Sequence, residues 1–190
     1  MNSLPGFLPG VGASVVVGAL SSGRVARTLG GPRALSFALV LFAGIIASAT
    51  LTPYTGGALG AEHPGTCDLS RMDLAPLRDL LRPGDVSGNV LLFVPLGVCL
   101  ALLPRSRSKA ILIAAAVASP FVIEGTQLLL PALHRACESA DIVDNLTGLV
   151  AGLAAGGMVA SSVRVWPRQE SRAAKPLVHH DWDGTRQSRR

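Results

Sequence analysis

VSGNVLLFVPLGVCLALLPRSRSKAILIAAAVASPFVIEGTQLLL, residues 86–130, is the stretch whose reading decides the fold. Residues 86–104 carry no charge, residues 110–130 carry one, and the basic turn RSRSK lies between them. A single apolar run of this kind could be a core helix. Two in tandem, with the charge confined to the short turn, instead match a bilayer core about 30 Å thick, which takes roughly 20 helical residues to cross. Working outward, residues 1–23, 34–52 and 145–163 repeat the pattern. The five windows hold 101 of the 190 residues and one charge, Glu124, while the other 28 of the 29 charged side chains occupy the remaining 89. A soluble enzyme domain is excluded, because aqueous helices and strands scatter charge along every exposed face. With 15% charged residues against about 25% in soluble domains, and a mean hydropathy of +0.45, the composition agrees. The expected fold is an all-α, polytopic bundle of four to five spans.

The placement of the basic residues sets the orientation. Arg24, Arg27 and Arg33 lie between the first two windows, Arg105, Arg107 and Lys109 between the third and fourth, and seven more from Arg164 onward. The segments 53–85 and 131–144 contain only Arg71, Arg78, Arg82 and Arg135, with eight of the 12 acids. By the positive-inside rule the first group is cytoplasmic and the second external. The net charge of +5 therefore reads as membrane topology, with no nucleic-acid partner implied. Residues 1–33 form a weak span and a basic loop, 34–163 the main membrane domain, and 164–190 a basic, disordered cytoplasmic tail drawn to anionic lipid.

The first window is interrupted by prolines and glycines, which leaves Val11–Leu20 as its good helical run. It reads either as a span with the N-terminus outside or as a signal peptide, and the lack of a basic segment before the apolar run favours the span. The second window reads as a plain anchor. In the outer loop, DLAPLRDLLRPGD places Leu74, Leu77, Leu80 and Leu81 at helical spacing, predicting a short amphipathic surface helix. Such a helix could form a lip over a site or simply pack on the bundle.

Several polar residues sit where a plain anchor would have none. Asp85 and Asn89 are four apart at the outer end of the third span, and Glu124 and Gln127 three apart in the fourth, so each pair shares a helix face. Glu124 is the only ionisable residue inside a window, and at roughly 2.5 to 3.5 kcal/mol for an acid at mid-membrane it should face protein. It serves either function or structure, and the nearest cation in sequence is Arg135. Pro95 and Pro120 interrupt the same two spans and free the carbonyls of Leu91 and Ala116, which a neighbour must satisfy.

RACESADIVDNLTGLVAG opens the fifth span. Asp141 and Asn145 are four apart, and Asn145, Gly148, Gly152 and Gly156 continue one stripe, a small-residue surface on which another helix can approach closely. Asp144 reads as an acid favourable at a helix N-terminus and otherwise inert. Asp85, Asn89, Glu124, Gln127, Asp141 and Asn145 are thereby expected to meet in the outer third of the bilayer, open to the exterior, and with Arg135 to form a polar pocket of seven residues.

DVSGNVLLFVPLG, followed by IEGTQ and RACESADIVDN with its glycines, resembles the VanZ-like family of membrane proteins over roughly residues 34–163. The resemblance places Asp85, Asn89, Phe93, Pro95, Gly97, Glu124, Gln127, Arg135, Asp141, Asn145, Gly148 and Gly152 on the family's recurring positions. Glu138 stands where relatives often have aspartate. The resemblance implies a multi-pass protein of the bacterial cell membrane and an association with reduced susceptibility to teicoplanin-type glycopeptides.

Cys67 and Cys137 both fall on the external side, and a disulfide between them would close a loop of about 70 residues, contributing of order 4 kcal/mol in the entropic account. Cys99 lies within the third span. No Cys or His pair has zinc-site spacing, and no cofactor or metal is expected. Three functional classes follow. The first is an envelope protein whose outer pocket binds a lipid or cell-wall headgroup, a lipid-linked precursor or a glycopeptide. The second is a membrane enzyme with Glu124 or Asp141 as acid or base and Arg135 as an anion clamp. The third is a small transporter, which the one-sided polar cluster and the lack of internal repeats disfavour.

Overall fold

A computed structural model of the chain describes residues 5–53, 55, 66–80 and 82–173, with 163–173 as backbone only. Helix α1 spans Phe7–Leu29 and α2 Arg33–Leu51; α3 is the single turn Leu77–Leu80; α4 (Asp85–Leu102), α5 (Arg107–Leu129) and α6 (Ser139–Ala173) complete the bundle. Two-residue strands, β1 (Cys67–Asp68) and β2 (Cys137–Glu138), pair in parallel. All the helices except α3 are long and apolar enough to cross a membrane. The chain is a multi-pass, all-α bundle.

Burial in this bundle is inverted relative to a soluble protein. Leu8, Val16, Leu20, Ile111, Phe121, Val122 and Val150 are exposed, whereas Ser14, Ser36, Ser48, Thr50, Glu124, Gln127, Asp144 and Asn145 are buried. In water that arrangement would be unstable. In lipid the apolar exterior is the solvated one, and polar groups are driven inward to find partners. The centre is built by α2, α4, α5 and α6 around Phe93, Leu100 and Leu149, with Leu39, Ile46, Leu96, Ala116 and Ile123 packed about them.

The most extensive helix contact joins α4 and α6, which run parallel. A Cβ on Gly148 would strike the carbonyl oxygen of Val90, one on Gly152 that of Val94, and one on Gly156 the Cβ of Ala101. Glycine is therefore required for the backbones to lie this close, and in lipid such close packing supplies the association that the hydrophobic effect cannot. Gly97 reciprocates from α4, where an added Cβ would lie 2.5 Å from the Leu149 carbonyl oxygen.

The α1–α2 hairpin is built the same way, antiparallel. Gly10 faces Ser48, and Gly44 faces Ser14 so closely that an added Cβ would overlap its hydroxyl. Gly10 and Gly18, two of the glycines that interrupt the first apolar window, are thus packing positions, Gly18 against Phe37, whereas Gly12 faces open space, and α1 is longer than the run Val11–Leu20. Pro9 sits in the first turn, where the missing N–H would have had no helical acceptor, and the helix ends at Gly30, left-handed at φ 66°, whose N–H reaches the Ala26 carbonyl. The second window is likewise more than an anchor, since α2 packs on both α1 and α4.

Two elements are shaped differently from expectation. The amphipathic surface helix contracts to the one turn Leu77–Leu80 between Pro76 and Pro83, with Leu74 and Leu77 exposed; Leu81 lies outside the described residues. At the other end α6 continues through Ala173 instead of stopping near residue 163, so the first ten residues assigned to a disordered tail are helical; residues 174–190 lie outside the described residues. Of the two prolines within spans, Pro120 has its repair in view, because the Ser119 hydroxyl donates to the freed Ala116 carbonyl at 2.8 Å.

Candidate functional site

The N-terminus of α4, the C-terminus of α5 and the N-terminus of α6 meet at one end of the bundle, opposite the turn that carries Arg105, Arg107 and Lys109. Between them lies a cavity of about 390 Å³. Gly84, Asp85, Gly88 and Asn89 line it from α4 and its cap, Gln127 from α5, His134, Arg135, Ala136 and Glu138 from the connecting segment, and Asp141 from α6. Five of the seven pocket residues named from sequence, Asp85, Asn89, Gln127, Arg135 and Asp141, thus share one wall system. Glu124 and Asn145 do not line it.

Those two lie behind the wall, at 2% and 1% exposure. Glu124 Oε2 accepts the backbone N–H of the lining residue Glu138 at 2.8 Å. Its other oxygen, Oε1, and Asn145 Oδ1 have no hydrogen-bond partner among the described residues. Depth below the cavity, rather than helix face, separates these two side chains from the other five.

Gln127 and Arg135 also hold the fold together. The last carbonyls of α2 have no acceptor role left within their own helix. Gln127 Nε2 donates to Thr50 O at 3.0 Å, and Arg135 donates from Nη2 to Ala49 O at 2.5 Å and from Nε to Thr52 O at 3.3 Å. The guanidinium sits at the negative end of the α2 dipole, a favourable place for a cation.

A tethered segment between α2 and α3 closes the same end. Cys67 and Cys137 are joined by a disulfide with Cα atoms 4.6 Å apart, across the register in which Cys67 faces Cys137 and Asp68 faces Glu138. Four residues on, Arg71 reaches Asp144 on α6: Nη2 lies 2.5 Å from Oδ2 and 3.4 Å from the Ala140 carbonyl, while Ser139 Oγ donates back to the Arg71 carbonyl at 2.8 Å. The hydrogen bond from Asp144 raises the Arg71 guanidinium above its ordinary pKa. Asp144 is therefore not an inert helix-start acid. It is 2% exposed and carries a buried ion pair, because its place in α6 turns it inward where a lone carboxylate would be too costly. Sequence reasoning missed Arg71 as its partner; the available signal was its position four residues after a cysteine whose disulfide mate, Cys137, lies seven before Asp144.

The cavity's charges are unbalanced. Asp85, Glu138 and Asp141 contribute three carboxylates, and none of them forms an ion pair among the described residues. Asp85, Glu138 and Asp144 all lie close enough to Asp141 to repel its charge. Among the described residues, no three His, Cys, Asp or Glu side chains converge as a metal site would require.

The model of the family described as VanZ/LLP1 matches residues 33–159, more than half of the chain and all of α2, α4 and α5. No curated protein and no solved structure matches it.

Proposed function

The chain belongs to the VanZ/LLP1 family, and from that premise we propose that it is a cell-envelope membrane protein whose polar cavity faces outward and binds the headgroup of an envelope lipid, a lipid-linked cell-wall precursor or a glycopeptide. By occupying such a molecule it would lower susceptibility to teicoplanin-type antibiotics, the association that the family carries. The observation behind this reading is the cavity itself, about 390 Å³ and walled by side chains from three membrane helices. That volume lies in the range of small-molecule sites, roughly 300–1,000 Å³. The basic residues at the opposite end of the bundle support the outward orientation in this reading.

The acid–base reading has less behind it. Glu124 is sealed from the cavity with Oε2 on a backbone amide, and Arg135, the intended anion clamp, donates to two α2 carbonyls. A general acid or base needs hydrogen-bond reach to its substrate.

Asn89→Ala combined with Asp85→Asn tests the binding reading, since neither side chain has a hydrogen-bonding role among the described contacts. The expected result is a protein that purifies and melts like the wild type, loses lipids or precursors that co-purify with it by native mass spectrometry, and no longer alters teicoplanin susceptibility in a sensitive host. Unchanged capture and unchanged susceptibility would contradict the proposal.

A further inference from the structure

We propose that the protein binds an anionic phospholipid in a lateral groove at the end of the bundle that carries Arg105, Arg107 and Lys109, apart from the polar cavity. One acyl chain lies between α1, α2, α4 and α5, and the phosphate rests on Arg24.

The groove has a volume of about 550 Å³, and all the residues that line it are described. Leu39, Ile46, Leu96, Leu100 and Ala116 are its buried floor, while the small, exposed side chains of Ala43 and Ala115 leave its sides open. The two hydroxyls in the lining are engaged on their own helices: Thr28 Oγ1 donates to the Arg24 carbonyl at 3.2 Å and Ser119 Oγ to that of Ala116 at 2.8 Å. Water gains few hydrogen bonds in such a space. A hydrocarbon chain fills it with dispersion contacts.

Its depth matches a chain from one leaflet. Helices α2 and α5 both start at this basic end, at Arg33 and Arg107. The lining runs from Leu39 to Ile46 on α2 and from Leu112 to Ser119 on α5, which at 1.5 Å per residue is about 8 to 20 Å from those helix starts. The groove therefore descends from the basic end to the middle of the bundle and stops. That is the reach of one half of a bilayer core about 30 Å thick.

Charge selects the headgroup. Arg24, five residues before the end of α1, lines the groove, and its side chain has no ion pair or hydrogen-bond acceptor among the described residues. A guanidinium bordering lipid is well matched to a phosphate, which accepts two of its N–H groups at once. The flanking segments 21–35 and 101–112 add Arg27, Arg33, Arg105, Arg107 and Lys109 and contain no Asp or Glu. The field at this end thus favours a net anionic headgroup over a zwitterionic one. Helix α1 lies outside the residues 33–159 that match the family model, so the cation that holds the headgroup comes from beyond the matched region.

Native mass spectrometry of the purified full-length protein, titrated in detergent with phosphatidylglycerol and phosphatidylcholine of identical acyl chains, tests the assignment. The wild type is expected to bind its first phosphatidylglycerol about fivefold more tightly than phosphatidylcholine, the scale of one cation at a membrane surface. Arg24→Gln should abolish that preference. Arg27→Gln, which removes the same charge three residues on but does not line the groove, should retain it. Ala115→Phe fills the groove from an exposed position and should weaken the first binding event of both lipids about fivefold or more, with unchanged melting; Ala43→Leu replaces it if that protein does not fold. Equal affinity of the wild type for the two lipids, an equal loss of preference in Arg24→Gln and Arg27→Gln, or undiminished lipid binding by the groove-filled variant would overturn the proposal.

Discussion

Arg71 Nη2 lies 2.5 Å from Asp144 Oδ2, joining the loop between α2 and α3 to the membrane helix α6 across 73 residues of sequence. Asp144 is buried and Arg71 a quarter exposed, so the pair is open to solvent only from the loop side. Its removal is asymmetric in cost. Arg71→Ala leaves a carboxylate inside the bundle with no counterion, and is expected to lose about 3 kcal/mol of stability. Arg71→Met/Asp144→Leu, which removes both charges and keeps the volume, should lose much less. Thermal unfolding of the two variants in detergent checks the order. A double variant less stable than Arg71→Ala would mean that the pair is a net attraction rather than a compensated burial.

The disulfide Cys67–Cys137 holds the strand pair that delivers Arg71. Closing a loop of about 70 residues contributes of order 4 kcal/mol in the entropic account. Cys67→Ser/Cys137→Ser is expected to melt lower than wild type. A maleimide should modify the unreduced protein at neither position, and after reduction should reach Cys67 before the more buried Cys137. Labelling of either one without reductant would refute the bridge.

Close packing of α4 on α6 predicts a position-specific response to volume. Gly152→Val places side-chain atoms on the Val94 carbonyl, which is backbone and cannot step aside, so the variant should fail to yield monodisperse protein. Gly157→Ala, where an added Cβ meets nothing within 4 Å, should be neutral. Size-exclusion profiles in one detergent compare them directly. Equal behaviour would show that the seam is looser than described.

Glu124 acts on the cavity through the backbone of Glu138. Glu124→Gln keeps an oxygen acceptor for that amide and should preserve the fold, whereas Glu124→Leu orphans a buried N–H and should destabilise by about 1–3 kcal/mol. Differential scanning fluorimetry of the two proteins separates these outcomes. If Gln is as damaging as Leu, the carboxylate charge, and not its hydrogen bond, is what the site requires.

The spans were legible because lipid imposes one dominant constraint, and Glu124 alone breaks it within the five windows. The stripe Gly148–Gly152–Gly156 was legible for a related reason: helical periodicity names the face, and small side chains name the contact. Radial depth was not. Periodicity cannot distinguish Gln127, which lines the cavity, from Glu124 one turn below, which is sealed behind it. Long-range partners were equally hidden. Nothing local to Asp144 identifies Arg71, and nothing local to Gln127 or Arg135 identifies the α2 carbonyls that they cap. Gly10 and Gly18 of α1 read as helix interruptions because their meaning lies in Ser48 and Phe37 of the facing helix.

The central claim, a polar cavity open to the exterior, is tested most directly by thiol accessibility in intact cells. Gly88→Cys lines the cavity and meets nothing within 4 Å, and Arg105→Cys marks the opposite end of the bundle; both are made with Cys99→Ser, leaving Cys67 and Cys137 paired. A membrane-impermeant maleimide should label position 88 from outside, and position 105 only after the cells are permeabilised. Labelling of position 105 in intact cells, with position 88 protected until permeabilisation, would contradict the account.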